Sequence, residues 1–439
     1  MLLEFRTKNY KSFKDELVFS LVPAPKQNGL NYSVLREKVG GKTYKGLCSA
    51  VIYGPNAAGK TNIIGAMDTF KAIVLRGHIR NDIEKNSPNI ASGRLELIPN
   101  SFCRDQEPVK FSITFTTDQY LIEYTFAAMI GNFLNAEYQR KIVFERLTVN
   151  QSTIFERSEK LEIGQLKSIK SLLVNAFDKN VSQTMSAANL NDEELFLMNG
   201  FKAMFSSKLV SMIVNWLSSK FLVVYWANFI QLKQTFSDDS QDAAYIVETL
   251  NDAAVCFGIN SNALGYVVEK DSREAKLCSL FGNEKEGGIA LPAELFESYG
   301  TIRFVNMFPI IMQVLRNGGT LVVDEFDASI HPMALMNIIN IFHNDELNPN
   351  HAQLIFNTHN PIFLNANLFR RDEIKFVERN EEDHCSLHYA LSDFGTAGKM
   401  GVRMSSDYMK GYFVNRYGAI KDIDFSPVVR SVLYDNAED

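Results

Sequence analysis

The sequence predicts an α/β fold with three parts: a mainly parallel core sheet, an antiparallel β subdomain and a helical insertion. Three observations carry that prediction. Ala50-Val51-Ile52-Tyr53 is an apolar run that ends in a glycine loop, and helical character follows from Asn62 to Leu75. Val109, Phe111, Ile113 and Phe115 alternate with polar neighbours. After a polar turn over Thr116 to Gln119, Tyr120, Ile122, Tyr124 and Phe126 alternate again, the pattern of an antiparallel hairpin. Leu161, Leu166, Ile169, Leu172 and Leu173, and later Leu209, Ile213 and Leu217, recur at helical spacing without sustained heptads, so the insertion is not a long coiled coil.

The remaining elements follow in order. Leu3 and Phe5 mark a first strand, and Leu17 to Leu21 a second after the Lys11-Ser12-Phe13 step. Lys141 to Val149 reads as a further strand. Gly319 to Val323 and Gln353 to Phe356 are short apolar runs suited to a parallel sheet covered on both faces. The last dozen residues read as a polar, poorly ordered end. The expected division is residues 1–150 as an N-terminal lobe, 151–290 as a mainly helical insertion and 291–439 as a C-terminal lobe.

Composition narrows the function. With 439 residues, 46% of them hydrophobic and 22% charged, the chain can bury a large core. A net charge of -6 argues against a protein that coats nucleic acid, although a local basic groove would be compatible with it. Cys48, Cys103, Cys256, Cys278 and Cys385 are scattered without C-x-x-C spacing, which fits a reducing compartment better than a disulfide framework or a zinc site. No secretory leader pattern opens the chain. Leu195 to Trp226 is apolar but broken by Lys202, Lys208 and Lys220, as in a core helix rather than a membrane span. The expected location is cytoplasmic.

Four elements carry chemistry. Gly54-Pro55-Asn56-Ala57-Ala58-Gly59-Lys60-Thr61 matches G-x-x-x-x-G-K-[ST] in full. Such a loop turns consecutive backbone N–H groups of Asn56, Ala57, Ala58, Gly59, Lys60, Thr61 and Asn62 inward around phosphates, at the positive end of the following helix. Lys60 suits the β- and γ-phosphates of ATP, and the Thr61 hydroxyl suits Mg2+. Leu321-Val322-Val323-Asp324-Glu325 is an apolar strand ending in two carboxylates: Asp324 placed for the metal shell, Glu325 for polarising a water. Asn357-Thr358-His359-Asn360 ends another strand, where His359 could reach the γ-phosphate. Glu297-Ser298-Tyr299-Gly300-Thr301 opens the helical run Ile302 to Leu315; by itself this is equally the pattern of an ordinary N-cap serine.

These elements, in this order, resemble the ABC-type ATPases of the RecF, SMC and OLD group, often filed as AAA-family proteins. Asn9-Tyr10-Lys11-Ser12-Phe13 is similar to that group's first strand and turn. Gly54 to Thr61 resembles its Walker A, Ser298 to Thr301 its signature, Asp324-Glu325 its Walker B and His359 its switch histidine. Asp327-Ala328-Ser329-Ile330-His331-Pro332 is similar to its loop after Walker B. Leu368 to Ile374 and Tyr408 to Ile420 are similar to a bacterial subgroup associated with anti-phage and restriction-linked systems.

The resemblance implies an ABC-type P-loop ATPase head with ATP and Mg2+ as cofactors. It implies a homo-oligomer in which Ser298 and Gly300 close over ATP held by another copy. It also implies a regulatory role over a separately encoded effector, a TOPRIM-type nuclease. A RecF-like, DNA-stimulated repair ATPase is the alternative, and a non-hydrolysing scaffold a third reading that Glu325 opposes. Three departures stand out: the signature lacks the second adjacent glycine of transporter ATPases, since Tyr299 intervenes, His331 stands where transporters carry aspartate, and Gln106 and Gln119 are the candidates for a Q-loop glutamine.

Arg76-Gly77-His78-Ile79-Arg80 reads as a solvated helix end rather than a nucleic-acid contact. Arg370-Arg371 reads as structural or as an interface pair. Asp422-Ile423-Asp424 is too isolated for a nuclease metal site.

Overall fold

The computed structural model describes residues 1–25, 27, 29–80, 95–103, 107–131, 138–175, 177–225, 244–245, 248–268, 275–282, 288–397, 401–421 and 423–434. Its centre is a six-stranded sheet in the spatial order Phe221–Val224, Thr320–Val323, Gln353–Asn357, Ser49–Tyr53, Ile374–Arg379 and Ser386–Ala390. The first five are mutually parallel, and only the last pairing is antiparallel. These strands read as unbroken apolar runs because both faces of the sheet are covered. The period of two is hidden inside the runs. Ala50, Ile52, Val322 and Ile355 face one core, whereas Val51, Tyr53, Leu321, Val323, Leu354 and Phe356 face the other.

The first core lies under a seven-stranded antiparallel sheet, which holds Leu2–Lys8, Leu17–Ser20 and the expected hairpin Val109–Thr117 with Tyr120–Met129. Helix Lys60–Arg76 packs between the sheets, and its Phe70 meets Phe5, Phe111 and Phe126. The second core is closed by helices Tyr299–Asn317 and Pro332–Phe342. Gln353 joins the two sheets: its amide donates to Leu2 O and Leu47 O and accepts from Leu2 N and the Thr320 hydroxyl, so no part of this buried side chain is wasted.

The span 151–290 differs from the mainly helical insertion expected. It carries helices Lys179–Ala188, Ser207–Asn215 and Glu248–Phe257, but also strands. Leu161 begins the strand Leu161–Ile163, which extends the antiparallel sheet instead of a helix. Leu166–Leu172 is a kinked 3-10 segment. Phe221–Val224 is an edge strand of the core sheet, and four strands between 244 and 292 form a small antiparallel sheet. The reason is local. Helical spacing of leucines also fits short strands and turns when neighbouring sheets supply the pairing. Trp216 stacks on Phe115 with ring centroids 3.8 Å apart, fastening the helices to the antiparallel sheet.

The chain's end also departs from expectation, since Ser426–Tyr434 is a helix. Asp422 lies outside the described residues, and Asp424 is exposed and accepts from Ser426 N. Arg370 and Arg371 are buried structural residues, paired respectively with Asp372 and with Gln27 and the carbonyls of Gly395 and Val402. The basic cluster at Arg76–Arg80 is built into a helix end: Gly77 caps it and Arg80 pairs with Glu194 at 3.4 Å. Among the described residues, no helix is long and apolar enough to cross a membrane.

Beneath the core sheet, at the end remote from the glycine loop, Glu373 is fully buried. Its carboxyl accepts from Arg370 N and from the Ser49 hydroxyl, each at 2.8 Å, and Ser49 in turn lies 2.8 Å from His343 Nε2. Burial pushes Glu373 up to about 8 and His343 down to about 4, so both are neutral in the fold at pH 7. A carboxyl raised in the folded state favours folding below its ordinary value of 4.5 and loses that contribution as pH rises towards about 8. Glu373→Gln should therefore flatten the fall in melting temperature of the wild type between about pH 5 and 8. Parallel pH profiles for the two proteins would show that Glu373 is ionised in the fold.

Candidate nucleotide site

The parallel register places the chemistry at one edge. Val323 lies beside Phe356, and Asn357 beside Ile52, so the chain leaves all three strands at the same level, into Asp324, Thr358 and Gly54. The strand bearing His359 lies between the other two, which sets Asn357 and His359 between the glycine loop and the carboxylates.

The loop itself has the turn that its composition implied. Asn56 and Ala57 are exposed at its crown, and Ala57 adopts φ +61°, a left-handed conformation that costs an alanine about 1–2 kcal/mol. Gly59 has φ +110°, and a Cβ there would lie 2.5 Å from Ser386 Oγ and 2.6 Å from Ser12 Oγ, so this position needs glycine twice over. Lys60 Nζ donates to Gly54 O at 2.9 Å and Pro55 O at 3.0 Å, which holds the ammonium inside the loop. Burial lowers its pKa to about 8, against the pull of Asp324, Glu325 and Asp327.

The carboxylates divide by environment. Asp324 is buried, and its Oδ1 accepts from the Thr61 hydroxyl at 3.0 Å and from Asn357 Nδ2 at 2.6 Å. Desolvation raises its pKa, with both donors opposing. Glu325 is exposed to the cavity with φ +50°; its N–H donates to Asn357 Oδ1 and its carbonyl accepts from Arg303. Asn357 is thus bonded to both members of the pair. Thr358 donates to Asp327 at 2.6 Å, and His359 stands open to the cavity. Burial first, and Lys60 next, lower the His359 pKa, so the ring is neutral near pH 7.

One cavity of about 450 Å³ is lined by the glycine loop, Asn56 to Asn62, and by Glu325, Asn357 and His359, whereas Asp324 lies behind this wall, bonded to Thr61 and Asn357. Lys11, Ser12, Ile98 to Ser101, Arg379 and His384 complete the wall. Ser12 Oγ accepts from Asn62 Nδ2 and from Ser386 Oγ, both at 2.7 Å, clamping the first turn to the loop. Sequence reasoning missed Arg379, which ends the strand Ile374–Arg379, and His384, in the polar turn that follows it. Asn9 to Phe13 was singled out only for its likeness to a family.

Ser298 and Gly300 do not line this cavity. Ser298 is the N-cap of helix Tyr299–Asn317 and accepts from Thr301 N at 3.1 Å. Gln119 lies on the exposed turn of the hairpin, away from the site, and so is not a Q-loop residue here; Gln106 lies outside the described residues.

Residues 49–365 match the family model described as "AAA domain, putative AbiEii toxin, Type IV TA system". The chain belongs to this AAA family. The cavity lined by its glycine loop is the candidate nucleotide site of this AAA-type ATPase domain. Solved structures with a similar fold include the SMC head domain from Thermotoga maritima, at 12% identity and a TM-score of 0.33, covering 89% of this chain and 98% of that one. A second is an SMC head crystallised with the C-terminal winged-helix domain of ScpA, at 11% identity and a TM-score of 0.37, covering 89% and 97%. A third, derived from Pyrococcus furiosus, is an SMC head with an extended coiled coil bound to the C-terminal domain of ScpA, at 10%, 0.35, and 89% and 97%. No curated protein matches the chain.

The residues fit a hard divalent cation. The Thr61 hydroxyl and the Asp324 carboxylate, held together by a hydrogen bond of 3.0 Å, are both hard oxygen donors of the kind Mg2+ takes. The pH dependence of binding tests the lysine. Above about pH 8 the empty site holds Lys60 neutral, so a triphosphate must recruit a proton to bind. Affinity should then fall by up to about tenfold per pH unit above 8. The slope should vanish in Lys60→Met; a flat wild-type profile to pH 9.5 would place the lysine outside the phosphate site.

Proposed function

We propose that this AAA-family chain is a Mg2+-dependent ATP hydrolase that assembles through ATP-sandwich interfaces and controls a separately encoded effector. The observation that carries the sandwich reading is the separation of the two half-sites. Ser298 and Gly300 lie off the chain's own cavity, while Leu295, Phe296 and Tyr299 around them are 71%, 41% and 54% exposed. An apolar surface rimming an anion-suited helix start matches a second copy's nucleotide face.

Lobes 1–150 and 291–439 then supply the ATPase, with the insertion 151–290 between them. Within the site Lys60 neutralises the β- and γ-phosphates, and the loop amides from Asn56 to Asn62 cradle them. Thr61 and Asp324 would hold Mg2+, which would spread the charge that develops on the phosphates. Glu325 accepts a proton from the attacking water. Neutral His359 donates to the γ-phosphate, and Ser298 and Gly300 of a second copy close the far side.

The regulatory half of the reading rests on kinship and likeness. The family description names a toxin of a two-component toxin–antitoxin system, and the carboxy-terminal motifs are similar to an anti-phage subgroup. We therefore assign the chain the part of sensor and regulatory scaffold in such a system, holding or releasing a TOPRIM-type nuclease encoded beside it.

Turnover and oligomeric mass test the enzyme. Lys60→Ala should lose nucleotide affinity. Glu325→Gln should still bind ATP, turn over about 10²–10⁴-fold more slowly and accumulate as an ATP-loaded assembly. Equal masses and negligible turnover for all three proteins would sink the mechanism. Affinity capture from a host expressing the neighbouring genes tests the regulatory part, and recovery of the chain alone would reject it.

A further inference from the structure

Arg303 lies one turn inside the helix that begins at Ser298, and its side chain is only 4% exposed. Its guanidinium donates to the carbonyl of Glu325. On the other side of the same residue, the Glu325 N–H is held by Asn357 Oδ1. Glu325 itself has φ +50°, a conformation that a glutamate holds only when its surroundings impose it. The residue is thus clamped through both of its peptide groups, one clamp from the glycine-loop side and the other from the helix bearing Ser298 and Gly300.

The helix start is seated closely. A Cβ on Gly300 would lie 2.1 Å from Ser329 O, so the helix start rests directly on the loop that follows Glu325. A displacement of the helix start consequently has two routes to the carboxylate, one by backbone contact at Ser329 and one by the Arg303 hydrogen bond.

We infer that Arg303 is a positioning residue that aims Glu325 according to whether a second copy's nucleotide occupies Ser298 and Gly300. The inference rests on the ATP-sandwich reading and adds a direction to it: the signature of a chain governs hydrolysis in that same chain's cradle, so turnover becomes cooperative in ATP. Arg303 touches no nucleotide. It acts through the Glu325 backbone, and the side chain of Glu325 remains the proton acceptor.

The test compares wild type, Arg303→Met and Arg303→Lys. Methionine keeps the apolar stem and removes the donors; lysine keeps the charge and one reach of hydrogen bond. Nucleotide affinity, ATP-dependent mass, kcat, KM and the Hill coefficient are measured for each. Arg303→Met should bind ATP within about twofold of wild type and still assemble, yet lose about a hundredfold in kcat at unchanged KM. Its Hill coefficient should fall to one, and Arg303→Lys should recover part of both. If Arg303→Met is unstable, Arg303→Lys carries the comparison alone, with reduced kcat and cooperativity at full ATP affinity as the expected result. Unchanged kcat and Hill coefficient in a variant that assembles, or a loss confined to ATP affinity, would overturn the inference. Absence of assembly or turnover in wild type would instead reject the proposed function.

Discussion

Asn357 holds the site together. Its amide nitrogen donates to Asp324 and its amide oxygen accepts from the Glu325 N–H, so one side chain sets the spacing and the tilt of both carboxylates. Asp324 in turn accepts from Thr61, which links the carboxylate strand to the first helical turn after the glycine loop. None of these bonds would form if the parallel strands slipped by one residue, because a slip turns each side chain to the opposite core. The apolar contacts of Val322, Ile355 and Ile52 on one face, and of Val323, Phe356 and Val51 on the other, therefore protect the chemistry as well as the fold.

The same sheet separates two kinds of buried polar group. At the loop edge, burial lowers Lys60 and raises Asp324; Lys60 lines the cavity, and Asp324 is bonded to Thr61 and Asn357, which line it. At the opposite edge Glu373 and His343 are enclosed, held neutral, and bonded through Ser49. The first pair lies at the cavity; the second ties the start of the glycine-loop strand to the strand and helix beside it through Ser49. Perturbed ionisation alone does not distinguish a functional site from a structural one, whereas access to the cavity does.

Backbone strain is distributed with the same logic. Ala57 and Glu325 both sit at positive φ without being glycine, and both face the cavity. Their neighbours over-determine them: Lys60 bonds to the carbonyls of Gly54 and Pro55, and Arg303 and Asn357 grip the two peptide groups of Glu325. Such strain is retained where the direction of an N–H or a carboxylate matters more than local stability.

Elements whose signals are contained in a few consecutive residues were legible in the chain before folding. The strand–loop–helix around Lys60, the hairpin over Val109 to Met129 and the strand ending in Asp324-Glu325 belong here, because period, turn chemistry and caps act within one element. The local pattern misjudged 151–290, where short leucine-rich segments take strand or helix according to which sheet they meet; Leu161 and Phe221–Val224 are strands because an edge was available. Packing across the sheet is what lets Ser12 and Ser386, separated by 374 positions, clamp the glycine loop, and what brings Arg379 at a strand end and His384 in the turn after it to the cavity. The same holds for Arg303 and Asn357, ordinary residues of a helix and a strand until the parallel register brings Glu325 between them. Contacts between elements depend on register and crossing, and neither is written in the local pattern of residues.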